Sequence, residues 1–308
     1  MNYGIPYVGS KSGIIDSLAL NFPKADNFYD LFGGGFSVTH YMLRNKSHRY
    51  KSFFYNEIDA RIVELIKSSI KGDFSHDRFM PEWISRDDFV KRINDPYIGL
   101  IWSFGNNKKS YLFSKEIEPY KKSMHMAVVF DEFDSLAQDV LRIDSWPKTI
   151  SSIPNRRRYL RAIIEYYRKT KIPAALKHFL KSKQLESLQR LEQLPRLQRL
   201  EQLQQLQQLQ QLHFSSLDYR QVNVRPNSIV YCDIPYRNAA SYRIPFNYEE
   251  FFDWAATRDF PVYISEYSIE DTRFDCIYSL GKTVKLSQKG SSKERSDLSR
   301  EKLYWNRR

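Results

Sequence analysis

Three short constellations carry the residue types that chemistry requires. At Asp233-Ile234-Pro235-Tyr236, a carboxylate, a stiff turn and an aromatic ring directly follow the apolar run Ser228-Ile229-Val230-Tyr231-Cys232. Such a run reads as a buried strand whose carboxyl end opens on a crevice. Gly33-Gly34-Gly35 stands just after the apolar run Asn27-Phe28-Tyr29-Asp30-Leu31-Phe32 and before the helical pattern Phe36 to Leu43. The third is Ser52-Phe53-Phe54-Tyr55, which ends at Asn56-Glu57-Ile58-Asp59 and opens a helix through Ile62, Leu65 and Ile66. A strand, a glycine turn, a helix, then a strand ending in an acid is the order in which a nucleotide-type cofactor is held. Glycine lets the backbone approach it, and the carboxylate accepts its ribose hydroxyls. Taken alone, the glycines equally serve a tight turn with no ligand.

These constellations need an α/β frame to face one crevice, and the remaining chain divides around it. From Ser151 to Lys183 there are ten basic residues against one acid, Glu165. Leu160, Ile163, Ile164 and Tyr167 recur there at helical spacing, so a helix capped by Asn155 after Pro154 is expected, with arginines on its other faces. Leucine then stands at every third position from Leu185 to Leu212. Three does not match 3.6, so on an α-helix these leucines drift by about 60° per repeat, and Pro195 interrupts them. The expectation is a partly helical arm or flap, or an expansion in a surface loop. The tail Gly281–Arg308 holds nine basic and three acidic residues and either frays or pairs as a strand near Leu303–Trp305.

Composition narrows the classes further. The chain has 308 residues, 42% of them hydrophobic, which is enough for two domains with real cores. A net charge of +12 favours polyanions such as nucleic acid or anionic lipid as partners. Two cysteines cannot make a disulfide framework, and Met1 to Lys11 show no secretory apolar stretch, so a reducing, cytoplasmic setting is expected. A mean hydropathy of −0.58 and the lack of a long uncharged apolar run argue against a spanning helix. The histidines and cysteines show no metal-ligand spacing, and no P-loop is present, so neither a metal site nor an NTPase is expected. Cys232, in its apolar strand, reads as core packing.

Taken in order behind Tyr7-Val8-Gly9-Ser10-Lys11, the glycine turn, the acidic strand end and the Asp-Pro-Pro-Tyr-like tetrapeptide resemble the Dam-type DNA adenine-N6 methyltransferases. The resemblance runs from about Tyr3 to Leu65 and again from about Leu217 to Ser268. It implies a Rossmann-like, S-adenosylmethionine-dependent α/β core, with an inserted, mainly helical region for target recognition. The expected boundaries are 1–72 and 214–308 for the core, 73–183 for the insertion and 184–213 for the Leu/Gln arm. By the same resemblance, Tyr7 and Lys11 lie against the cofactor and Asp30, Phe32, Gly33, Gly34 and Gly35 surround its methionine part. Glu57 takes the ribose, Asp218 and Tyr219 the adenine of the cofactor, and Tyr263 to Tyr267 help to wall the target base.

The reaction implied is methyl transfer to N6 of an adenine flipped out of double-stranded DNA. The exocyclic nitrogen is a poor nucleophile because its lone pair is delocalised into the ring. Asp233 can accept one amino hydrogen and the backbone carbonyl of Ile234 the other, leaving the lone pair aimed at the methyl group. Pro235 stiffens the turn and Tyr236 stacks on the base. Ile234 departs from the family's usual proline, which leaves a catalytically inactive DNA-binding module as the alternative. Recognition is expected from the Ile101–Tyr111 loop, where Asn106, Asn107, Lys108 and Lys109 suit base edges and phosphates, although a plain asparagine-stabilised turn is equally consistent. Arg156, Arg157, Arg158 and Arg161 suit a phosphate clamp. A monomer or weak dimer is expected, and by analogy a solitary or phage-borne modifier or part of a restriction-modification pair.

Overall fold

The computed structural model describes residues 2–170, 187–188, 190–207, 209, 211–236, 246–280 and 301–308. Its contacts divide the chain into two units, Met1–Lys71 with Gln202–Arg308, and Gly72–Glu201. The division falls inside the leucine-glutamine run, whereas the sequence placed the whole run in one arm.

The first unit is built on one sheet. Strands β1 (Asn27–Asp30), β2 (Ser52–Asn56), β3 (Leu212–Ser215), β4 (Ser228–Cys232), β5 (Val262–Glu266), β6 (Asp275–Ser279) and β7 (Lys302–Trp305) lie in the order β3-β2-β1-β4-β5-β7-β6. The first five strands pair in parallel, while β7 runs antiparallel between β5 and β6. This is a Rossmann-like α/β arrangement. Every residue of β1, β4 and β5 is buried, which is why their apolar residues stand consecutively, as in Phe28-Tyr29, Ile229 to Cys232 and Val262 to Ile264, instead of alternating with polar ones. The chain leaves β1 toward β2 on one side, and β4 lies on the other. The carboxyl ends of β1 and β4 therefore flank the point where the winding reverses, the place where open α/β sheets bind ligands.

In the N-terminal part of this unit the helices are α1 (Ile15–Leu18), α2 (Ser37–Asn45) and α3 (Ala60–Lys71). The helix α3 buries Ile62, Val63, Leu65 and Ile66 and packs on a 3₁₀ turn, Gln202–Leu206, whose Leu203 and Leu206 are buried. A three-residue period is the 3₁₀ period, so the leucine spacing that drifts on an α-helix aligns here.

The second unit carries α4 (Arg86–Arg92), α5 (Pro96–Ile101), α6 (Glu118–His125), α7 (Ser135–Leu141), α8 (Ile153–Lys169) and α9 (Gln193–Glu201). Two expectations are corrected here. The N-cap of α8 is Ser152, whose hydroxyl accepts from the backbone N–H of Asn155, and Pro154 sits in the first turn. Pro195 likewise lies in the first turn of α9, where its missing N–H is not needed, so it starts a helix instead of interrupting one. Leu188, Leu191, Leu194 and Leu200 are buried, so this part of the run is packed structure and not a free flap. The lysines expected to contribute charge at 171–183 and the tail from 281 to 300 lie outside the described residues. A further helix, α10 (Tyr248–Ala256), belongs to the first unit and is capped by Asn247.

Candidate active site

The glycine turn is held from three sides. The Gly34 N–H donates to Glu57 Oε2 at 3.0 Å, the Tyr55 hydroxyl donates to the Gly34 carbonyl at 2.7 Å, and the Gly33 N–H donates to the Asn56 carbonyl at 2.9 Å. Gly34 has φ +46°, in the left-handed region that side chains disfavour. A Cβ on Gly33 would lie 2.1 Å from the Tyr55 ring, so its open side is filled by the protein itself. The ring of Tyr7 lies over Gly34. Glu57 also accepts from the Asp59 N–H at 3.1 Å, so its carboxylate is fixed at the end of β2 by two backbone donors. Each oxygen keeps further acceptor capacity.

Asp30, at the end of β1, is 1% exposed. Its Oδ2 accepts from the Thr39 hydroxyl at 2.7 Å, which ties α2 to the strand, while its Oδ1 is buried with no hydrogen-bond partner among the described residues. Burial pushes its pKa up to about 7, with the Thr39 hydrogen bond opposing and the charge of Asp233 adding to the rise. An unsatisfied buried carboxylate oxygen beside a glycine turn is a ready acceptor for a cationic group. Together with Glu57, this donor and acceptor set fits a ligand that carries both an ammonium and ribose hydroxyls.

Asn56 joins this end of the sheet to the segment after β3. Its amide donates to the carbonyls of Leu31 and Leu217, and its Oδ1 accepts from Ser215 Oγ and the Leu217 N–H. That places Asp218 and Tyr219 beside the glycine turn. Tyr219 meets the Phe32 ring at 5.5 Å and packs on Phe251 and Trp254. Asp218 is held by Arg220 through both carboxylate oxygens, which keeps its pKa below the ordinary value.

At the end of β4 the tetrapeptide meets the N-terminal segment. Lys11, 5% exposed, places its Nζ 2.7 Å from Asp233 Oδ1 and 3.6 Å from Glu301 Oε1. The same ammonium stands 4.9 Å from the Tyr236 ring centroid. The Tyr236 hydroxyl donates to Glu301, and its ring meets Tyr267 edge-on at 4.6 Å. Burial raises the Asp233 pKa to about 6; Lys11 pulls it down and Glu301 pushes it up. Ile234 is fully buried in the core cluster with Val230, Cys232 and Ile264, so its side chain points away from the site. The position that departs from the resemblance is therefore a packing position.

Glu301 was not singled out from the sequence. It stands one residue before β7, in a tail dominated by basic residues, and reaches Tyr236 only because β7 inserts beside β5. An acid at the start of a tail strand was the only signal available.

The expected DNA-contacting residues belong to the other unit, and several are already engaged. Asn106 donates to the Leu100 carbonyl at 2.7 Å, and Asn107 accepts from the N–H groups of Lys109 and Ser110, so both stabilise the loop closed by the Ser103–Tyr111 bridge. Lys108 donates its N–H to Ser103 Oγ, and Lys109 is exposed. Arg156 donates to the Val128 carbonyl, lies 3.4 Å from Asp131 and covers the Trp146 ring. Arg158 and Arg161 are exposed, while Arg157 is buried.

A family model for D12 class N6 adenine-specific DNA methyltransferases matches residues 7–268, most of the chain, so the protein belongs to that family. No curated protein matches the chain. Membership makes the protein an enzyme that methylates adenine N6 in DNA, with S-adenosylmethionine as donor. Among the described residues there is no group of side chains able to hold a metal, and no helix long and apolar enough to cross a membrane.

Proposed function

We propose that the turn Asp233-Ile234-Pro235-Tyr236 is the catalytic centre for this transfer, acting on an adenine flipped out of a specific duplex sequence. The observation that carries the reading is the Lys11–Asp233–Glu301–Tyr236 cluster, set beside the glycine turn where the sheet's winding reverses. When bound, the cofactor supplies an electrophilic sulfonium methyl. Asp30 Oδ1 would accept from its ammonium and Glu57 from its ribose hydroxyls, while Tyr7 and Phe32 would wall the loop.

The rest is done by the chain. Lys11 occupies one oxygen of Asp233 and keeps the carboxylate ionised. The other oxygen accepts one hydrogen of the target amino group, and the Ile234 carbonyl accepts the second. Both acceptors are fixed before the base arrives, so the gain is in position and electrostatics. Tyr236 presents its face to the base, with its hydroxyl tethered to Glu301 and Tyr267 bracing its edge. Lys109, Arg158 and Arg161 contact the duplex backbone. We place the protein in the cytoplasm, as a monomer or weak dimer.

The test is transfer of labelled methyl from S-adenosylmethionine to duplex DNA, with N6-methyladenine mapped by sequencing. Asp233→Ala should lower transfer by about 10³-fold with cofactor and DNA still bound. Transfer by Asp233→Ala at the wild-type rate would refute the assignment. No transfer by the wild type, with both ligands bound, would instead make the chain a binding module.

A further inference from the structure

Arg157 is 8% exposed on α8 and makes no hydrogen bond or ion pair among the described residues. A buried guanidinium in that state is costly unless something answers its charge. Arg157, Arg161, Arg190 and Arg196 line a pocket of about 490 Å³, with Leu191 and Pro195 as its apolar wall. The one lining carboxylate among the described residues, Glu192, lies 3.0 Å from Lys121 Nζ.

The pocket is built, not incidental. Lys121 is fully buried and also donates to the carbonyls of Ser187 and Arg190, which fixes the backbone that carries Arg190 and Glu192. Arg196 is anchored through one nitrogen to the carbonyls of Ile101 and Ser103, each at 2.7 Å. Four cations therefore converge on one volume whose only acid among the described residues is already engaged.

We propose that this pocket binds a phosphoryl anion on a nucleotide-sized ligand. Guanidinium forks match phosphate oxygens in pairs, and several at once select a multiply charged group over a lone carboxylate. The volume exceeds what a bare phosphate fills, and the Leu191 and Pro195 wall suits the sugar or base beside it. Burial and the neighbouring Arg161 charge lower the Arg157 pKa to about 10, as a cation without an anion requires. The phosphate can come from a DNA strand or from a free nucleotide. Either source leaves the catalytic assignment untouched, because the site is read by binding and not by transfer.

The experiment is calorimetric titration of the full chain with inorganic pyrophosphate at low salt. The wild type should bind saturably, and Arg157→Met should weaken binding about tenfold or more. Arg168→Met, on the same helix but paired with Glu165, should bind within about twofold of the wild type. Without anion, Arg157→Met should melt at or above the wild-type temperature, since it removes an unpaired buried charge. If that variant fails to fold, the exposed Arg190→Gln replaces it, with the same loss expected. Displacement of bound pyrophosphate by a duplex oligonucleotide identifies the DNA backbone as the source, and retention identifies a free nucleotide. No saturable binding, or equal weakening by Arg157→Met and Arg168→Met, overturns the proposal.

Discussion

At the carboxyl edge of the sheet, buried charges answer one another: Lys11 lies 2.7 Å from Asp233 and 3.6 Å from Glu301. In the helical unit, the equally buried Arg157 answers nothing among the described residues. The two arrangements suit opposite tasks. A centre that must receive a neutral amino group needs acceptors already ionised and oriented, so its charges are balanced internally. A site that must receive an anion keeps its own charges uncompensated until the ligand arrives.

Breaking the first balance gives the largest expected effect. Lys11→Met removes the cation that holds the Asp233 pKa down, leaving burial and Glu301 to raise it beyond about 6. More Asp233 is then protonated at neutral pH and cannot accept the amino hydrogen. Transfer at pH 7 should fall about 100-fold, with the acid limb of the pH–rate profile displaced to higher pH. A uniform loss without displacement would show that Lys11 serves the cofactor and not Asp233.

Glu301→Gln sharpens the same comparison from the other side. The substitution keeps an acceptor for the Tyr236 hydroxyl but removes a charge that raises the Asp233 pKa. On the role proposed for Asp233, wild-type transfer should decline as pH falls through about 6, because only the ionised carboxylate can accept the amino hydrogen. In the variant that decline should begin at lower pH, giving faster transfer than the wild type near pH 5 and little change at pH 8. Pre-steady-state transfer rates across this range test it, and an unmoved limb would assign the titration to another group.

How much of this could be read in the sequence follows from what each signal depends on. The central strands were legible because they are buried on both faces, so Phe28-Tyr29 and Ile229 to Cys232 stand as consecutive apolar residues instead of alternating with polar ones. The Asp233 turn and the glycine turn were legible because each directly follows such a strand. Glu301 was not, since its role arises only when β7 enters the sheet between β5 and β6. The strand β3 was hidden at the end of the leucine run, where composition masks the change of period. The mismatch at Ile234 stood out in sequence as a departure from the tetrapeptide, whereas in the structure its side chain is packed in the core with Val230, Cys232 and Ile264. Asn106 and Asn107 show the converse: residue types that read DNA equally well close their own loop.

Asp30 is the exception within the balanced region, and it yields the smallest predicted effect. Like Arg157 it is buried with an unanswered polar group, and like Arg157 its pKa moves toward neutrality, here upward to about 7. A carboxyl with a raised folded-state pKa stabilises the fold fully below its unfolded value near 4. That contribution is lost as pH rises through about 7. The wild type without cofactor should therefore melt lower at pH 8.5 than at pH 5.5 through this group. Asp30→Asn keeps an acceptor for Thr39 and carries no charge, so it should be more stable than the wild type at pH 8.5, by on the order of 1–3 kcal/mol, by a smaller margin at pH 5.5, and nearly equal to it only below about pH 4. The same substitution removes a negative partner for the cofactor's ammonium, so the affinity for S-adenosylmethionine should fall about tenfold. Thermal melts at the two pH values, with and without cofactor, read both effects. A variant that is stabilised at pH 8.5 yet binds the cofactor as tightly as the wild type would make Asp30 an anchor for α2 alone, and the unanswered oxygen a cost with no ligand to offset it.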